Sequence, residues 1–245
     1  MIPIFVASNA GFAGRTFISL GLAMKLIDQG YKVGYIKPIG KVPVKKEKGV
    51  YDADALFIKE TLGLEDPLAV ISPFVQTYEN QTLLFEGRLK DVKKQVLAAF
   101  KTLKSRDFVI VGGAGDPFEG SLLGMNTLSL LNDMKAYLLM VEPWRGEVSA
   151  DSLFGVARLM GERFIGGVIN KVPVNTAGHV KETVRPFLEK KGVKILGVFA
   201  KDRALESVTV CQLNEILNGK VVCCDERLDE YVENYSIGAM DVDSA

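Results

Sequence analysis

The sequence contains little histidine and cysteine, and this scarcity removes several kinds of site. One histidine, His179, stands among 245 residues, so a histidine metal site or a Ser-His-Asp triad is not expected. The three cysteines, Cys211, Cys223 and Cys224, are odd in number and lack the spacing of metal ligands. We therefore interpret them as small apolar side chains near a late strand, without a disulfide framework.

An excess of one charge and long apolar runs are also missing. Lys+Arg and Asp+Glu both number 30, and without a basic excess we expect no nucleic-acid partner. No stretch reaches the about 18 apolar residues of a membrane span. The N-terminus, Met-Ile-Pro-Ile-Phe-Val, lacks a positively charged leader and a cleavage site, so it predicts a buried strand and not a signal peptide. We expect a cytoplasmic protein without membrane contact.

Strand and helix patterns alternate along the chain, which is typical of an α/β fold. Such a pattern predicts three layers, with a parallel sheet covered by helices on both faces. The predicted strands are Ile2–Ser8, Val33–Lys37, Phe108–Val111, Ala136–Val141, Phe164–Asn170, Lys194–Val198 and Lys220–Cys224. The predicted helices are Arg15–Gln29, Asp52–Leu62, Leu89–Ser105, Asn126–Met134, Val148–Gly161, Thr176–Lys191 and Thr209–Leu217. The charged run Lys41–Lys48 is interpreted as a solvated loop.

The clearest motif joins the first strand to the first helix and reads Ser8-Asn-Ala-Gly-Phe-Ala-Gly-Arg-Thr16. Glycines let successive backbone N–H groups point at phosphate oxygens, and the helix N-terminus adds partial positive charge. The strict phosphate-loop pattern has a further glycine at its start and a lysine where Arg15 stands. Arginine is not equivalent to lysine, because its planar fork has a different geometry. The segment is therefore either a phosphate site or an ordinary strand–helix turn.

Four further elements lie where strands end or helices begin. Lys37, at the end of the second strand, is either a site lysine or a surface lysine before a turn. Asp52 and Asp54 could bind Mg²⁺ or cap the helix that they begin. Gly113 belongs to a glycine-rich strand end that permits close approach of a ligand. The Asn170 amide could pair with an adenine edge or begin a turn.

Taken in this order, the five elements resemble the dethiobiotin synthetase-like P-loop family. That family has a loop ending Gly-Lys-Thr, then Lys-Pro, an aspartate at a helix start, Glu-Gly-Ala-Gly, and Asn-(Arg/Lys)-Val. The resemblance covers roughly residues 1–222 and is closest to the N-terminal domain of phosphotransacetylases and of DRTGG-domain proteins. It predicts a P-loop NTPase-like domain over residues 1–224. Residues 225–245 then form a tail that resembles the start of a truncated DRTGG domain.

The resemblance implies a site for ATP or ADP, with Mg²⁺. It implies a catalytic role for Lys37 and a metal site at Thr16 and Asp54. The residues implied to face the nucleotide are Asn9, Gly11, Phe12, Ala13, Gly14, Arg15, Thr16, Phe17, Gly113, Asn170 and Lys171. The sequence departs from the family at two catalytic positions, with Arg15 in place of the lysine and Gly112 in place of the glutamate. Such a site would keep its phosphate cradle and lose catalytic groups.

Three functions remain open at this point. The first is a nucleotide-binding regulatory or interaction module, catalytically weakened, that controls a fused domain or a partner. The second is an active ATP- and Mg²⁺-dependent ligase or carboxylase of the dethiobiotin synthetase type. The third is a scaffold for oligomerisation that binds no nucleotide. A homo-oligomer is expected.

Overall fold

The computed structural model describes residues 1–113 and 115–232. The chain divides into two compact units, one formed by residues 1–199 and the other beginning at Ala200. The predicted domain boundary after residue 224 stays a prediction. Most of the tail that resembles a DRTGG domain lies outside the described residues.

The elements follow one another in the alternating order that the sequence predicts. The strands are β1 Ile2–Ala7, β2 Val33–Ile36, β3 Pro43–Lys46, β4 Gly49–Asp52, β5 Phe108–Gly112, β6 Tyr137–Pro143, β7 Phe164–Val172, β8 Ile195–Ala200, β9 Val208–Thr209 and β10 Tyr231–Val232. The helices are α1 Arg15–Asp28, α2 Ala53–Leu62, α3 Leu68–Ile71, α4 Tyr78–Phe85, α5 Val92–Thr102, α6 Thr127–Asp133, α7 Glu147–Met160, α8 Ala177–His179, α9 Arg185–Lys190, α10 Arg203–Glu206 and α11 Val210–Ile216. A π-helical stretch, Val180–Val184, joins α8 to α9.

Six strands form one sheet in the order β2-β5-β1-β6-β7-β8. Strand β1 lies between β5 and β6 and pairs with both in parallel. The pairs β2–β5 and β6–β7 are also parallel, so the predicted sheet type is confirmed. Because parallel strands end at the same edge, the loops after β1, β2, β5, β6 and β7 meet there.

Apolar side chains cover both faces of this sheet. On one face Phe5 and Val109 pack with Val96 and Leu103 from α5 and the turn that follows it. On the other face Ile4, Val6 and Ile110 pack with Ala23 of α1 and Ile58 of α2. Burying one large apolar side chain stabilises the fold by about 1.5–3 kcal/mol. The alternation of strand residues between the faces therefore fixes the register of the sheet and produces the predicted three layers.

Two predictions in the first half of the chain are wrong. The charged run Lys41–Lys48 is not a loop, because β3 and β4 pair as an antiparallel hairpin. The helix predicted from Leu89 begins at Val92, because Asp91 adopts a left-handed conformation with φ of 58°. The two short helices α3 and α4 lie in a segment for which the sequence predicted no element.

The second unit contains a two-stranded antiparallel sheet of β9 and β10, and the helix α11. Thr209 and Gln212 form a capping box at the start of α11, which confirms the predicted helix there. The strand predicted at Lys220–Cys224 is wrong, because this segment forms no strand. Cys223 and Cys224 are exposed, so they are not apolar fillers. Among the described residues, no helix combines the length and the apolar character needed to cross a bilayer.

Candidate functional site

The loop between β1 and α1 leaves the N-terminus of the helix open. Gly14 precedes α1 with φ of 90°, no side chain caps the helix, and its first turn has no acidic residue. The Ser8 hydroxyl donates to the Ala10 carbonyl oxygen and accepts from the Ala10 N–H, both at 3.0 Å. The first N–H groups of α1 therefore remain without intrahelical partners, which is the arrangement that favours an anion.

Asn170, near the end of β7, forms a hydrogen bond with the backbone of the loop. Its Nδ2 donates to the Ala13 carbonyl oxygen over 2.8 Å. A β-carbon added to Gly14 would stand 2.4 Å from the same Nδ2, so a side chain at residue 14 would displace Asn170. The amide nitrogen thus braces the loop, and the adenine contact predicted for Asn170 stays a prediction.

A polar chain that the sequence analysis missed supports the other side of the loop. Asn9 Nδ2 donates to Ser152 Oγ over 2.5 Å, and Ser152 Oγ donates to Glu142 Oε2 over 3.0 Å. Arg145 donates to the second Glu142 oxygen over 2.6 Å. Burial raises the pKa of Glu142, although the hydrogen bonds from Arg145 and Ser152 oppose this shift. A single glutamate near the end of the apolar strand β6 was the sequence signal for this series of hydrogen bonds.

Arg15 lies across the loop. Its NH1 donates to the Ala10 carbonyl oxygen over 3.1 Å, and a β-carbon on Gly115 would stand 3.2 Å from its NH2. Burial lowers the pKa of Arg15, while the charges of Glu119 and Asp54 act against this shift. The guanidinium therefore sits between the phosphate loop and the segment that follows β5.

Lys37 is buried between two carboxylates. Its Nζ lies 2.7 Å from Asp52 Oδ1 and 2.6 Å from Asp54 Oδ2. Asp52 also accepts from the Ala55 N–H over 3.1 Å, which confirms the capping interpretation for this residue. Burial opposes ionisation of Asp52, but the charge and hydrogen bond of Lys37 and two backbone N–H groups outweigh it, so the pKa of Asp52 is lowered.

Tyr35 fills the space beside Gly112, the position at which the family has glutamate. A β-carbon on Gly112 would stand 2.4 Å from the Tyr35 hydroxyl oxygen. Burial raises the pKa of Tyr35, and the negative charges of Asp54 and Asp52 raise it further, so the hydroxyl stays protonated. Tyr35 and Lys37 stand two residues apart along the same extended segment. This spacing places both on one face and is the signal by which the sequence could have revealed Tyr35.

The remaining predicted site residues have more varied positions. Gly113 donates its N–H to the Val6 carbonyl oxygen over 2.9 Å, and a β-carbon there would stand 2.5 Å from the Phe5 ring. Packing against β1 therefore explains this glycine, and its predicted ligand contact stays a prediction. The others lie in or beside the loop, with Gly11 and Phe12 exposed, Ala13 buried, Thr16 half-buried, Phe17 half-exposed on α1, and Lys171 at φ of 55°.

The predicted metal residues Thr16 and Asp54 lie on the first turns of α1 and α2. Asp54 is ion-paired with Lys37, and the metal assignment stays a prediction. A separate groove of about 660 Å³ lies between α5 and Leu122–Leu123. None of the predicted site residues lines it, so it is not part of this site.

A parallel sheet with an open, glycine-containing loop between its central strand and α1 defines a P-loop protein of the nucleotide-binding class. The sequence model of the AAA_26 family, described as an AAA domain, matches residues 3–209. The chain belongs to this family.

Curated relatives agree with this assignment and with the dethiobiotin synthetase-like resemblance. The ATP-dependent dethiobiotin synthetase of Methanococcus vannielii is 27% identical over 206 residues, which cover 80% of this chain and 92% of the relative. The enzyme of the same name from Nitrosopumilus maritimus is 26% identical, covering 85% of this chain and 93% of the relative. The phosphate acetyltransferase of Pseudomonas putida is 24% identical over 91% of this chain, which spans 33% of that longer protein.

Proposed function

We propose that this chain is a nucleotide-binding module for ATP or ADP whose catalytic step is weakened, and that it controls a fused domain or a partner. The cradle supports the binding part of this proposal. The N-terminus of α1 is uncapped, and Asn170 and Asn9 brace the loop from two sides. These features leave backbone N–H groups free to bind phosphate, and the Arg15 guanidinium lies beside them.

The observation that carries the weakened chemistry is the contact between Tyr35 and Gly112. The family's glutamate is missing at residue 112, and the phenol of Tyr35 occupies the direction in which a side chain would extend. Lys37 is held by Asp52 and Asp54 at 2.7 and 2.6 Å, so its charge is already neutralised. Phosphoryl transfer depends on positive charge placed against the transferring group, and this site offers less of it.

The regulatory part of the proposal is supported by the relatives with a longer chain. The phosphate acetyltransferase of Pseudomonas putida matches this chain over a third of its own length. About two thirds of that relative lies outside the matched region, which leaves room for a separate catalytic unit. We therefore propose that nucleotide binding acts on such a unit, whether it is fused or separate.

Calorimetric titration with ATP and with ADP tests the binding, and a steady-state assay of ADP release tests the chemistry. We expect saturable binding of at least one nucleotide. We also expect no ADP release above background with diaminopelargonic acid and bicarbonate. Absence of saturable binding to both nucleotides would end the proposal and leave the oligomerisation scaffold as the remaining alternative. The expected homo-oligomer stays a prediction that sedimentation can test.

An active ATP-dependent ligase is the second candidate. The observation in its favour is that the match spans 92% and 93% of the two dethiobiotin synthetase relatives. Arg15 would then replace the family's lysine, and Asp52, Asp54 or Asp116 would replace its glutamate. Turnover above background in the assay with diaminopelargonic acid would favour this candidate over the first.

A further inference from the structure

The oxygen ligands available at the phosphate site determine whether it can hold a divalent cation. This inference rests on the proposed nucleotide binding. P-loop sites in general hold Mg²⁺ through a loop hydroxyl and an acidic side chain, with the metal bridging phosphate oxygens. Mg²⁺ requires oxygen ligands in near-ideal octahedral geometry. The acidic side chains near the loop therefore decide whether the metal can be held.

Asp52 has no lone pair to offer a metal. Its Oδ1 accepts from Lys37 Nζ at 2.7 Å and from the Ala55 N–H at 3.1 Å. Its Oδ2 accepts from the backbone N–H groups of Lys41 and Val42 at 2.7 and 3.1 Å. A carboxylate has about four acceptor sites, so all of them are used. The carboxylate is also fully buried.

Asp54, the acid that was predicted to hold the metal, is paired with a cation. Its Oδ2 lies 2.6 Å from Lys37 Nζ, so a metal at this oxygen would compete with an ammonium group held at hydrogen-bond distance. Position 112 offers no side-chain oxygen, because it is glycine and Tyr35 fills the direction in which a side chain would extend. Over the part of the chain that the structure describes, no cluster of three or more acidic, histidine or cysteine side chains could hold a metal ion.

Arg15 places a positive charge beside the phosphate loop. Its guanidinium bonds the Ala10 carbonyl oxygen at 3.1 Å, and across the described residues it forms no ion pair with a carboxylate. It reaches the segment after β5, beside Gly115. A guanidinium stays charged and binds phosphate oxygens through two parallel N–H groups. It thus offers phosphate oxygens one positive charge and a fixed pair of N–H donors.

We infer that this site binds the phosphates of a nucleotide without a divalent cation, through the N–H groups at the start of α1 and the Arg15 guanidinium. Tyr35 fills the space into which the family's glutamate would extend from residue 112, and Arg15 lies beside the phosphate loop. This inference competes with the prediction of Mg²⁺ at Thr16 and Asp54.

Calorimetric titration of the whole chain with ADP, in excess MgCl₂ and in excess EDTA, separates the two. We expect dissociation constants that agree within about threefold, because both acidic side chains beside the loop are already paired with Lys37. Binding that is tighter in MgCl₂ by about tenfold or more overturns this inference and leaves the proposed function intact. Absence of saturable binding in both buffers overturns the inference and the proposed function together.

Variants of Arg15 supply a second, independent test. Arg15→Gln removes the charge, and we expect it to weaken ADP binding by about tenfold or more in MgCl₂ and in EDTA alike. Arg158→Gln is the matched control, because Arg158 is an exposed arginine in the last turn of α7. Thermal unfolding without ligand shows whether each variant folds. Restoration of the Arg15→Gln affinity by MgCl₂ would contradict the inference.

Discussion

The hydroxyl oxygen of Tyr35 on β2 lies 2.4 Å from the point at which a β-carbon on Gly112 of β5 would stand. Real β-carbons do not approach another atom so closely, so the two residues depend on each other. The register explains why they meet. Tyr35 pairs with Ile110, and Gly112 follows on the same face of β5. The glycine therefore makes room for the phenol at the edge where the phosphate loop lies.

Gly112→Ala should destabilise the fold, because the added methyl group forces the buried Tyr35 ring out of its place. We expect a loss of about 1–3 kcal/mol in the free energy of unfolding. In a Tyr35→Phe background the loss should be smaller, because the oxygen at 2.4 Å is gone. Urea unfolding of the four proteins in a double-mutant cycle measures this coupling. Additive losses would mean that the two residues are independent.

The matched control for that substitution is Gly155→Ala in α7. A β-carbon on Gly155 would meet no atom within 4 Å, so the new methyl group costs no packing. Alanine is also the better helix former, and we expect the variant to be more stable by about 0.5–1 kcal/mol. We expect the free energy of unfolding to fall in Gly112→Ala and to rise in Gly155→Ala. Such opposite changes would show that the space beside Tyr35, and not glycine replacement as such, decides the effect.

Asp52 and Asp54 both pair with Lys37, but their different burial predicts different contributions to the free energy of unfolding. The Asp52 side chain is 0% exposed and that of Asp54 is 42% exposed. Asp52→Asn should lower the free energy of unfolding by about 3 kcal/mol or more, because it breaks a buried pair. Asp54→Asn should cost less than about 1 kcal/mol, as exposed pairs do. Urea unfolding measures both values, and equal losses would contradict the ranking.

The sequence allowed the layers, the sheet type and the phosphate loop to be predicted, because these depend on local patterns. Apolar runs predict parallel strands, and glycines between a strand and a helix predict the cradle. The contact of Asn9 with Ser152 could not be predicted, because 143 positions separate the two residues. The strand expected at Lys220–Cys224 did not form, although its residues have high β-propensity. Propensity alone does not provide a neighbouring strand.

Glu142 predicts a pH dependence of stability. Burial raises its pKa in the folded state, whereas an unfolded glutamate titrates near about pH 4.3. The folded protein therefore holds this proton more tightly, and the contribution of Glu142 to stability is full below about pH 4.3 and falls as pH rises through the folded pKa. Glu142→Gln removes this dependence, so we expect the variant to gain stability relative to the wild type between about pH 4 and pH 7.

Urea unfolding of both proteins across this range measures the effect. Glu162→Gln is the control, because Glu162 is an exposed carboxylate in the turn after α7. A stability difference between wild type and Glu142→Gln that stays constant with pH, or that moves in the opposite direction, would refute the assignment.

Asn170 should act on the nucleotide through the loop, because its Nδ2 donates to the Ala13 carbonyl oxygen over 2.8 Å. Asn170→Ala leaves this carbonyl without its donor and opens space beside Gly14. We expect a loss of about 1 kcal/mol in stability, faster amide exchange over residues 10–16 and weaker ADP binding. Asn170→Asp keeps the size but cannot donate when ionised, so it should behave like Asn170→Ala.

Asn175→Ala, at an exposed position in the loop after β7, should leave exchange and affinity unchanged. If Asn170 contacts only the adenine, the two Asn170 variants will weaken ADP binding while amide exchange in the free protein keeps its wild-type rate.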